Sequence, residues 1–449
     1  MSGISVDKRA DIQGDKIIIE GGTDGTSIGN VGDELKVVNQ NTQTVAYADA
    51  GLTAFGEQRV STRHNLFDSK QTHVEDEAFD TVTATGGTST YNATQACVDM
   101  AVTTASGSKV TKSTHRYYPY ASGYSQLIFI TFVYNAAKTG LRQRAGYFDA
   151  VNGFFLEQAD STIRFVKRSG VTGSTVDTQV SQASWNIDPL DGTGPSGVTL
   201  TLGGKSHILI IDFQALFAGR VRMGFDIDGM IIYCHEFLHA NILSTPYIKR
   251  ASLPITYEIE NTASTASAST LKQICSSVAS EGLLERRGFD YSASRENSLI
   301  NVGTTMTNVC GLRPKLTLSN GETNRYTIEL VDISTHAEDR AVYFELVHVE
   351  FPTSISGTWS STSPVAEYSN NPSVSGGTEH VVWHGYVGSS SGGGGGRAGG
   401  QSNIGNELNE HSLIYISNDA TDRSVFLLRA QTMNNNTDVG GGFMWFEYD

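Results

Sequence analysis

The chain has 449 residues, enough for two to four domains at about 100–200 residues each, which excludes a small disulfide-stapled protein. Charged residues make up only 18% and hydrophobic residues 39%, and the 47 glycines complete a composition typical of many short strands joined by turns. The net charge of −15, with no run of basic residues, argues against general binding to nucleic acid.

The apolar runs are short. The longest, Leu127–Val133 and His207–Phe213, have strand length and fall below the roughly eighteen apolar residues of a membrane-spanning helix. We therefore expect a soluble protein without membrane insertion. The N-terminus has no apolar core of a secretion signal, which predicts synthesis in a cytoplasm. The cysteines are widely spaced and form no CxxC pair, so we expect free, mostly buried thiols at Cys97, Cys234, Cys275 and Cys310.

Residues 1–50 are predicted to be an N-terminal attachment segment. Two short apolar runs, Lys16–Glu20 and Glu34–Val38, are separated by the glycine-rich sequence GGTDGTSIGNVGD. Because so little apolar surface is available, this segment is expected to dock on a partner or on copies of itself rather than fold alone.

Residues 51–114 are predicted to be an extended β region rich in threonine, serine and glycine. Single apolar residues are scattered through 81–114, a pattern that favours thin strands over a packed helix. Such strands are too poor in apolar residues to fold alone, and we expect them to gain burial between chains of an oligomer.

Residues 115–288 are predicted to form a central β-sandwich. Runs of β-branched and aromatic residues alternate with turn signals such as DAVNG and DPLDGTGPSG. The segment 270–279 stays open between helix and strand, because Leu271, Ile274 and Val278 also fit a helical period.

Residues 289–449 are predicted to form a C-terminal β-sandwich. Runs such as Tyr326–Val331 and Val342–Phe351 alternate as half-buried strands do. The glycine-rich stretch at 389–400 is predicted to be a flexible loop. The fold class is therefore all-β, with tandem, jelly-roll-like β-sandwich domains behind an N-terminal docking segment.

The sequence HEFLH at 235–239 is the sharpest chemical pattern. On a helix, His235 and His239 would share one face and bind zinc while Glu236 activates its water, and Glu258 or Glu260 would complete the site. The motif instead follows the run DIDGMIIYC, which has no helix start signal and predicts a strand. On a strand the two histidines would lie about 13 Å apart, so we expect neither a metal nor a cofactor.

The same strand geometry predicts which side chains share a face. We expect Cys234, Glu236 and Leu238 on one side and His235, Phe237 and His239 on the other. No other pattern points to catalysis, and no catalytic residue is predicted: neither a G-x-S-x-G nor a cysteine-nucleophile signature occurs.

Two stretches resemble tailed-bacteriophage virion proteins of the tail-fibre or fibre-like kind. The first is GTSIGNVGDELKVV at 25–38, similar to a short element near the start of many phage fibre and attachment proteins. The second is the central block, with SQLIFITFVYNAAKTGLRQRAGYFDAVNGFFLEQ at 125–158 and HILIIDFQALFAGRVRMGFDIDGMIIYCHEFLHAN at 207–241 among its parts. Within the first stretch, the residues we expect to dock on a partner are Ile28, Asn30, Val31 and Leu35.

This resemblance implies a structural protein of a virion, made in the host bacterial cytoplasm. It implies a homo-oligomer, expected to be a trimer, that contacts other tail or capsid proteins and binds a host-surface glycan or protein receptor. One alternative is a capsid-decorating or baseplate-associated protein. A second alternative is an enzyme, either a zinc peptidase at 235–239 or a glycan hydrolase that uses paired carboxylates.

Overall fold

The structure is a computed structural model that describes residues 62–214, 216–282, 288–295, 298–388 and 413–448, together with the backbone of five short strands at 11–13, 16–18, 37–38, 44–45 and 399–403. The chain divides into two units, Met1–Thr62 and Arg63–Asp449. In the described residues no helix is both long and apolar enough to cross a membrane.

The strands run in chain order as follows: β1 Asp11–Gln13, β2 Lys16–Ile18, β3 Val37–Val38, β4 Thr44–Val45, β5 His64–Lys70, β6 Phe79–Ala84, β7 Thr88–Asn92, β8 Cys97–Val102, β9 Lys109–Thr114, β10 Gln126–Val133, β11 Leu141–Phe148, β12 Gly153–Ala159, β13 Thr162–Ser169, β14 Val176–Ser181, β15 Ser206–Phe213, β16 Val221–Ile227, β17 Met230–Phe237, β18 Ile255–Asn261, β19 Ser269–Ser280, β20 Phe289–Ser294, β21 Ile300–Val302, β22 Thr307–Pro314, β23 Thr327–Ala337, β24 Val342–Glu350, β25 Ser354–Ser356, β26 Ser360–Ser361, β27 Ala366–Ser369, β28 Ser373–Ser375, β29 Thr378–Val387, β30 Gly399–Asn403, β31 Leu413–Ile414, β32 Val425–Thr432 and β33 Thr437–Tyr448. A single 3₁₀ turn, Gln182–Ser184, is the helical element of the described residues.

The N-terminal unit contains two antiparallel pairs. Strand β1 pairs with β2, and β3 pairs with β4. The predicted apolar runs at 16–20 and 34–38 overlap β2 and β3. The docking candidates Ile28, Asn30, Val31 and Leu35 lie outside the described residues, so their role stays a prediction.

The first sandwich consists of two antiparallel sheets. One has the strand order β17-β16-β15-β10-β19-β8-β7, with β5 also paired to β19, and the other has the order β14-β13-β12-β11-β18-β9-β6. Between them lies a core in which aromatic side chains such as Phe132, Tyr147 and Phe213 are fully buried. Strand β10 shows how the sequence produces this core, because its alternate residues Ile128 and Ile130 point inward.

Strands β5 to β9 differ from the expectation for 51–114. They belong to both sheets of the first sandwich, since β5 and β8 pair with β19, and β9 pairs with β18. Their scattered apolar residues, such as Met100 and Val110, are buried in the same core. These thin strands therefore gain their burial inside one chain, because neighbouring strands supply the apolar surface that they lack.

The undecided segment 270–279 is part of strand β19. Opposite β10, Ile130 pairs with Ser276 and Phe132 with Gln273, so β19 carries one extra residue at this point. Such a β-bulge interrupts the strict alternation of inward and outward side chains. The interruption places Leu271 and Val278, seven residues apart, on the same buried face, whereas Ile274 is only half-buried.

The second sandwich also has two antiparallel sheets. One contains β20, β33, β23 and β30, joined by β21 and β31, and the other has the order β26-β27-β22-β32-β24-β29. Trp445, Phe344 and Leu428 are buried between them. The prediction of an all-β fold of tandem β-sandwiches is thus confirmed. Of the predicted loop at 389–400, residues 389–398 lie outside the described residues and Gly399 begins β30.

Replacing Trp445 by alanine is expected to destabilise the second sandwich by about 3–5 kcal/mol, because it removes a fully buried indole and leaves a cavity. The indole also donates a 2.8 Å hydrogen bond from Nε1 to Oε1 of Glu447. Chemical denaturation measured by far-UV circular dichroism tests this. The control Phe289→Ala, on the neighbouring strand and 73% exposed, should change stability by less than about 0.5 kcal/mol. Equal effects of the two substitutions would contradict the packing described for β33.

Candidate functional site

A groove of about 450 Å³ lies on the outer face of the seven-stranded sheet of the first sandwich. We call it the outer groove. Strands β6, β9, β11, β13 and β18 supply most of its walls, and the second sandwich supplies one end. Its lining residues are Val82, Lys109, Thr111, Ser113, Tyr117, Arg144, Phe148, Asp149, Ala150, Arg168, Thr175, Pro254, Thr256, Glu258, Asn418 and Asp419.

Strand alternation places these polar side chains outward. On β18, Tyr257 and Ile259 point into the core, so Glu258 between them must point to the opposite face. On β11, Ala145 points into the core and Arg144 points outward in the same way. Arg144 and Glu258 are cross-strand partners in the register of β11 and β18, which brings a guanidinium and a carboxylate together.

Arg144 is the centre of a buried ion-pair network. Its Nε donates to Oε2 of Glu157 at 2.7 Å, and its Nη1 donates to Oε1 of Glu258 at 3.0 Å. The ammonium of Lys109 lies 2.7 Å from the other oxygen of Glu258. All three members of the Arg144, Glu157 and Glu258 set are almost completely buried. Buried charges require such pairing, and each member of this set has a partner of opposite charge.

The network fixes the protonation of Glu258. Burial on its own would raise the pKa of this carboxyl, but the neighbouring charges of Lys109 and Arg144 outweigh burial and hold the pKa below its ordinary value of 4.5. At neutral pH, Glu258 is therefore an ionised acceptor. A retaining or inverting hydrolase needs a carboxylic acid that keeps its proton, so Glu258 does not suit the general-acid role.

Aromatic rings lie beneath the guanidinium groups of the groove. Phe148 and Phe155, together with Val166, form a small apolar cluster on the outer face of the sheet. The guanidinium carbon atoms of Arg144 and Arg168 lie 5.1 and 5.0 Å from the ring centroid of Phe155. These cation–π contacts hold the planar donor groups over the sheet.

Arg168 is held by a second carboxylate. Its Nε and Nη2 donate to the two oxygens of Asp177 at 2.8 and 2.9 Å. Burial tends to raise the pKa of Asp177, and the hydrogen bond and charge of Arg168 lower it overall. Cations and carboxylates of the groove thus compensate one another.

The second sandwich closes one end of the outer groove. The backbone N–H of Asn418 donates to Oδ2 of Asp80 at 3.0 Å, and its side-chain amide donates to the carbonyl of Ser113 at 3.2 Å. The guanidinium of Arg325 lies 5.2 Å from the ring centroid of Tyr117 and donates to the carbonyls of Ser417 and Asn418, each at 2.9 Å. These contacts fix the turn at 417–422 against the first sandwich.

A stacked ring pair strengthens the same junction. The imidazole of His115 lies 4.4 Å from the ring of Tyr415, with 22° between their planes. The Nε2 atom of His115 lies 3.1 Å from the carbonyl of Glu77. Burial lowers the pKa of His115, so its ring is neutral at neutral pH. The two sandwiches therefore meet through aromatic packing as well as hydrogen bonds.

The first three residues of the HEFLH motif, at 235–237, lie on β17 as predicted, whereas Leu238 and His239 lie beyond its end. The strand ends at Phe237. Opposite β16, Met223 pairs with His235 and Gly224 with Tyr233, so Cys234 is the extra residue of a bulge. As a result Cys234 and Phe237 both pack in the core, although the sequence pattern placed them on opposite faces.

Each histidine of the motif has other partners. The Nδ1 atom of His235 accepts from the backbone N–H of Asn186 at 3.3 Å, and its ring contacts Phe237. His239 donates from Nδ1 to the carbonyl of Gly219 at 2.6 Å, and Lys167 donates to its Nε2 at 3.0 Å.

Both rings are kept neutral. Burial lowers the pKa of His235, and burial together with the charge of Lys167 lowers the pKa of His239 to about 4. The remaining candidate ligand, Glu258, belongs to the ion-pair network of the other sheet. In the described residues no three His, Cys, Asp or Glu side chains come together in an arrangement that could hold a metal ion.

The sequence analysis did not find the outer groove. The signal was present as charged residues at alternate positions of apolar runs: Arg142 and Arg144 on β11, Arg164 and Arg168 on β13, and Glu258 and Glu260 on β18. Each run shows that one face of its strand is charged, but only the pairing of the strands brings opposite charges together.

No family model matches the sequence, and no curated protein matches it. Among solved structures, the chain is similar to the CBM2 module of the evolved Dit of Lactobacillus casei BL23 phage J-1, with 8% identity, a TM-score of 0.33, and coverage of 51% of this chain and 100% of that one. An endo-β-1,4-glucuronan lyase from Trichoderma reesei is 11% identical, with a TM-score of 0.31, and the match covers 49% of this chain and 96% of the lyase chain. A glycoside hydrolase family protein from Mycobacterium thermorestibile is 9% identical, with a TM-score of 0.34, and the match covers 47% of this chain and 99% of the hydrolase chain. Likeness at this level carries no argument about function.

Replacing Glu258 by glutamine is expected to lower the free energy of unfolding at pH 7 by about 1.5–3 kcal/mol, the range for hydrogen bonds to charged groups. Because the pKa of Glu258 is lowered in the folded protein, its ionised form stabilises the fold above the ordinary pKa of 4.5, and this contribution is lost as pH falls through the folded value. The deficit of Glu258→Gln relative to wild type should therefore hold from pH 7 to about 5 and shrink below pH 4.5.

Denaturant titrations at several pH values measure this dependence. The control is Asp68→Asn, which removes an exposed ion pair with Lys70 and should cost less than about 1 kcal/mol. A deficit for Glu258→Gln that grows as the pH falls below 4.5 would contradict the ion-pair network.

Proposed function

We propose that this chain is a structural protein of a tailed-phage virion, of the tail-fibre-like kind, that binds a host-surface glycan in the outer groove. The observation that carries the proposal is the groove itself, an open cleft of about 450 Å³ lined by charged and hydroxyl-bearing side chains. The resemblance of residues 25–38 and of the central block to phage fibre proteins supports the virion role.

The chemistry of the groove favours a polyol. Hydroxyl groups of Thr111 and Ser113 and the charged groups of Lys109 and Glu258 line its walls. A glycan offers many hydroxyls that both donate and accept hydrogen bonds, which suits a wall where donors and acceptors alternate. Because the charges compensate one another, a strongly charged polymer gains little there, and the net charge of −15 opposes nucleic acid further.

The proposed function also includes assembly into an oligomer, which places several grooves on one particle. The chain forms a homo-oligomer, a trimer in the fibre-like case, attached to the virion through its N-terminal segment. Several grooves on one particle convert weak contacts with a repetitive surface polymer into firm attachment, because each later contact forms at high effective concentration. The protein is made in the host bacterial cytoplasm and acts on the virion.

Filling the groove is expected to abolish glycan binding. Val82 lines the groove on edge strand β6, and a tryptophan there would occupy the cleft while remaining a residue that suits a strand. We expect Val82→Trp to lose at least about tenfold in affinity, or about 1.4 kcal/mol, on an array of bacterial capsular, O-antigen and cell-wall polysaccharides.

The matched control is Val176→Trp, the same change at a 50% exposed position on edge strand β14 outside the groove lining. It should bind as wild type does. Binding that is unchanged in Val82→Trp, or an array on which no glycan is bound, would contradict the proposed attachment role of the groove.

Nondenaturing mass spectrometry of the purified full chain is expected to give a closed oligomer, a trimer in the fibre-like case, without stoichiometric zinc. The reason for the second expectation is that the rings of His235 and His239 are engaged by protein groups. A monomer with one zinc ion would instead support the peptidase alternative, and Glu236→Gln would then test it. Cross-linking within intact virions would distinguish a tail-fibre position from a capsid or baseplate position.

A further inference from the structure

The second sandwich carries an exposed aromatic surface on the outer face of the sheet that contains β24, β29 and β32. Tyr343, His384 and Tyr386 form this surface, which we call the tyrosine face. The ring of Tyr343 lies 5.2 Å from that of Tyr386 and 6.2 Å from that of His384. Tyr386 is 62% exposed, an unusual exposure for a large ring on a sheet.

The fold covers the other half of the same sheet face and leaves this half open. Val347, Val349, Val425 and Leu427 form an aliphatic cluster there. Trp359, with Ile355 and Val374 of the two-stranded antiparallel sheet of β25 and β28, packs over that cluster. The chain therefore covers this aliphatic cluster with its own residues, while the tyrosine face remains in contact with solvent.

Strand register arranges the open half in two rows. Tyr386, Tyr343 and Gln431 lie opposite one another across β29, β24 and β32. The next row in the same direction contains His384, Glu345 and Arg429. Ring faces and hydrogen-bonding groups thus lie side by side on neighbouring positions of one sheet.

Ion pairs hold the polar row in place. Arg429 donates to both carboxylate oxygens of Glu379, through Nη1 at 2.8 Å and through Nη2, and lies 3.7 Å from Glu345. The hydrogen bond and charge of Glu379 raise the pKa of Arg429, and Arg429 in turn lowers the pKa of Glu379. The guanidinium and the two carboxylates are therefore already paired in the absence of a ligand.

We propose that the tyrosine face is a second glycan-binding site, selective for neutral sugars. A sugar ring has an apolar C–H face, which packs on the exposed ring of Tyr386, and a rim of hydroxyls, which reach Gln431 and Glu345. Two carboxylates surround one guanidinium, so the local charge disfavours phosphate-bearing or acidic polymers.

The size of the surface also favours a glycan over a protein partner. The two rows with Glu379 comprise seven side chains, whereas a standard protein interface uses about 20–30 residues on each side. A short segment of a neutral polysaccharide matches this area. The site lies on a different sandwich from the outer groove and shares no residue with it.

Tyr386→Ala in the full-length protein tests the proposal on an array restricted to neutral bacterial polysaccharides. We expect a loss of at least about tenfold in apparent affinity. One control is Val381→Ala, at a 55% exposed position on the same strand. The other is Tyr124→Ala, which removes a 42% exposed tyrosine from the first sandwich. Both controls should retain wild-type binding, and all variants should keep the wild-type melting temperature within a few degrees.

Combination with Val82→Trp separates this proposal from the proposed groove function. If Tyr386→Ala lowers the affinity for polysaccharide and Val82→Trp does not, the second site is supported and the groove function is not. If Val82→Trp lowers this affinity and Tyr386→Ala does not, the second site is overturned and the groove function is supported. Losses with each single variant, and a larger loss with both, support two sites.

Two further results would overturn the second site. One is an array of neutral polysaccharides on which nothing is bound. The other is a Tyr386→Ala protein whose native mass falls to that of a smaller oligomer while its glycan binding is unchanged, because the tyrosine face would then be a contact between copies of the chain.

Discussion

The alternation of side chains along each strand is the constraint on which this molecule depends. A sheet in a sandwich must bury one face completely, so every second residue of a strand is committed to the core and the residues between are free to vary. On β18, Tyr257 and Ile259 are buried in the core. Glu258 between them lies on the outer face and forms an ion pair with Arg144. The outer groove and the tyrosine face are both built from such intervening residues, on sheets whose inner faces are fully packed.

The outer groove shows how much order an outer face can acquire. Arg144 is stacked on Phe155 and paired with Glu157 and Glu258, so its guanidinium has little freedom left. A buried ion pair of this kind contributes less to net stability than an apolar core would, since each charge loses its hydration. Its value lies in geometry: the donors and acceptors of the groove walls are held where a ligand would meet them.

The fold could largely be predicted from the sequence, because β-branched runs, turn signals and period-two patterns are local. The grouping of strands could not, since the pairing of β5 and β8 with β19 joins residues that are far apart in the chain. Bulges account for two further differences. The extra residue on β19 put Leu271 and Val278 on one face at a helix-like distance of seven residues, and the extra residue Cys234 on β17 brought Phe237 into the core. Of the HEFLH motif, only residues 235–237 lie on the predicted strand. The outer groove was missed because it requires the register of five strands.

The turn at 417–422 has a consequence for how this protein can change over generations. It belongs to the second sandwich, yet Asn418 and Asp419 form one end of the outer groove on the first. The backbone of Asn418 and the guanidinium of Arg325 anchor the turn, while the side chains of Asp419 and Thr421 bond mainly within it. Asp419 lines the groove end and neither core cluster includes a residue of this turn, so substitution at Asp419 would alter the groove end without removing a core contact. The end of the groove can therefore vary in sequence at small cost to folding.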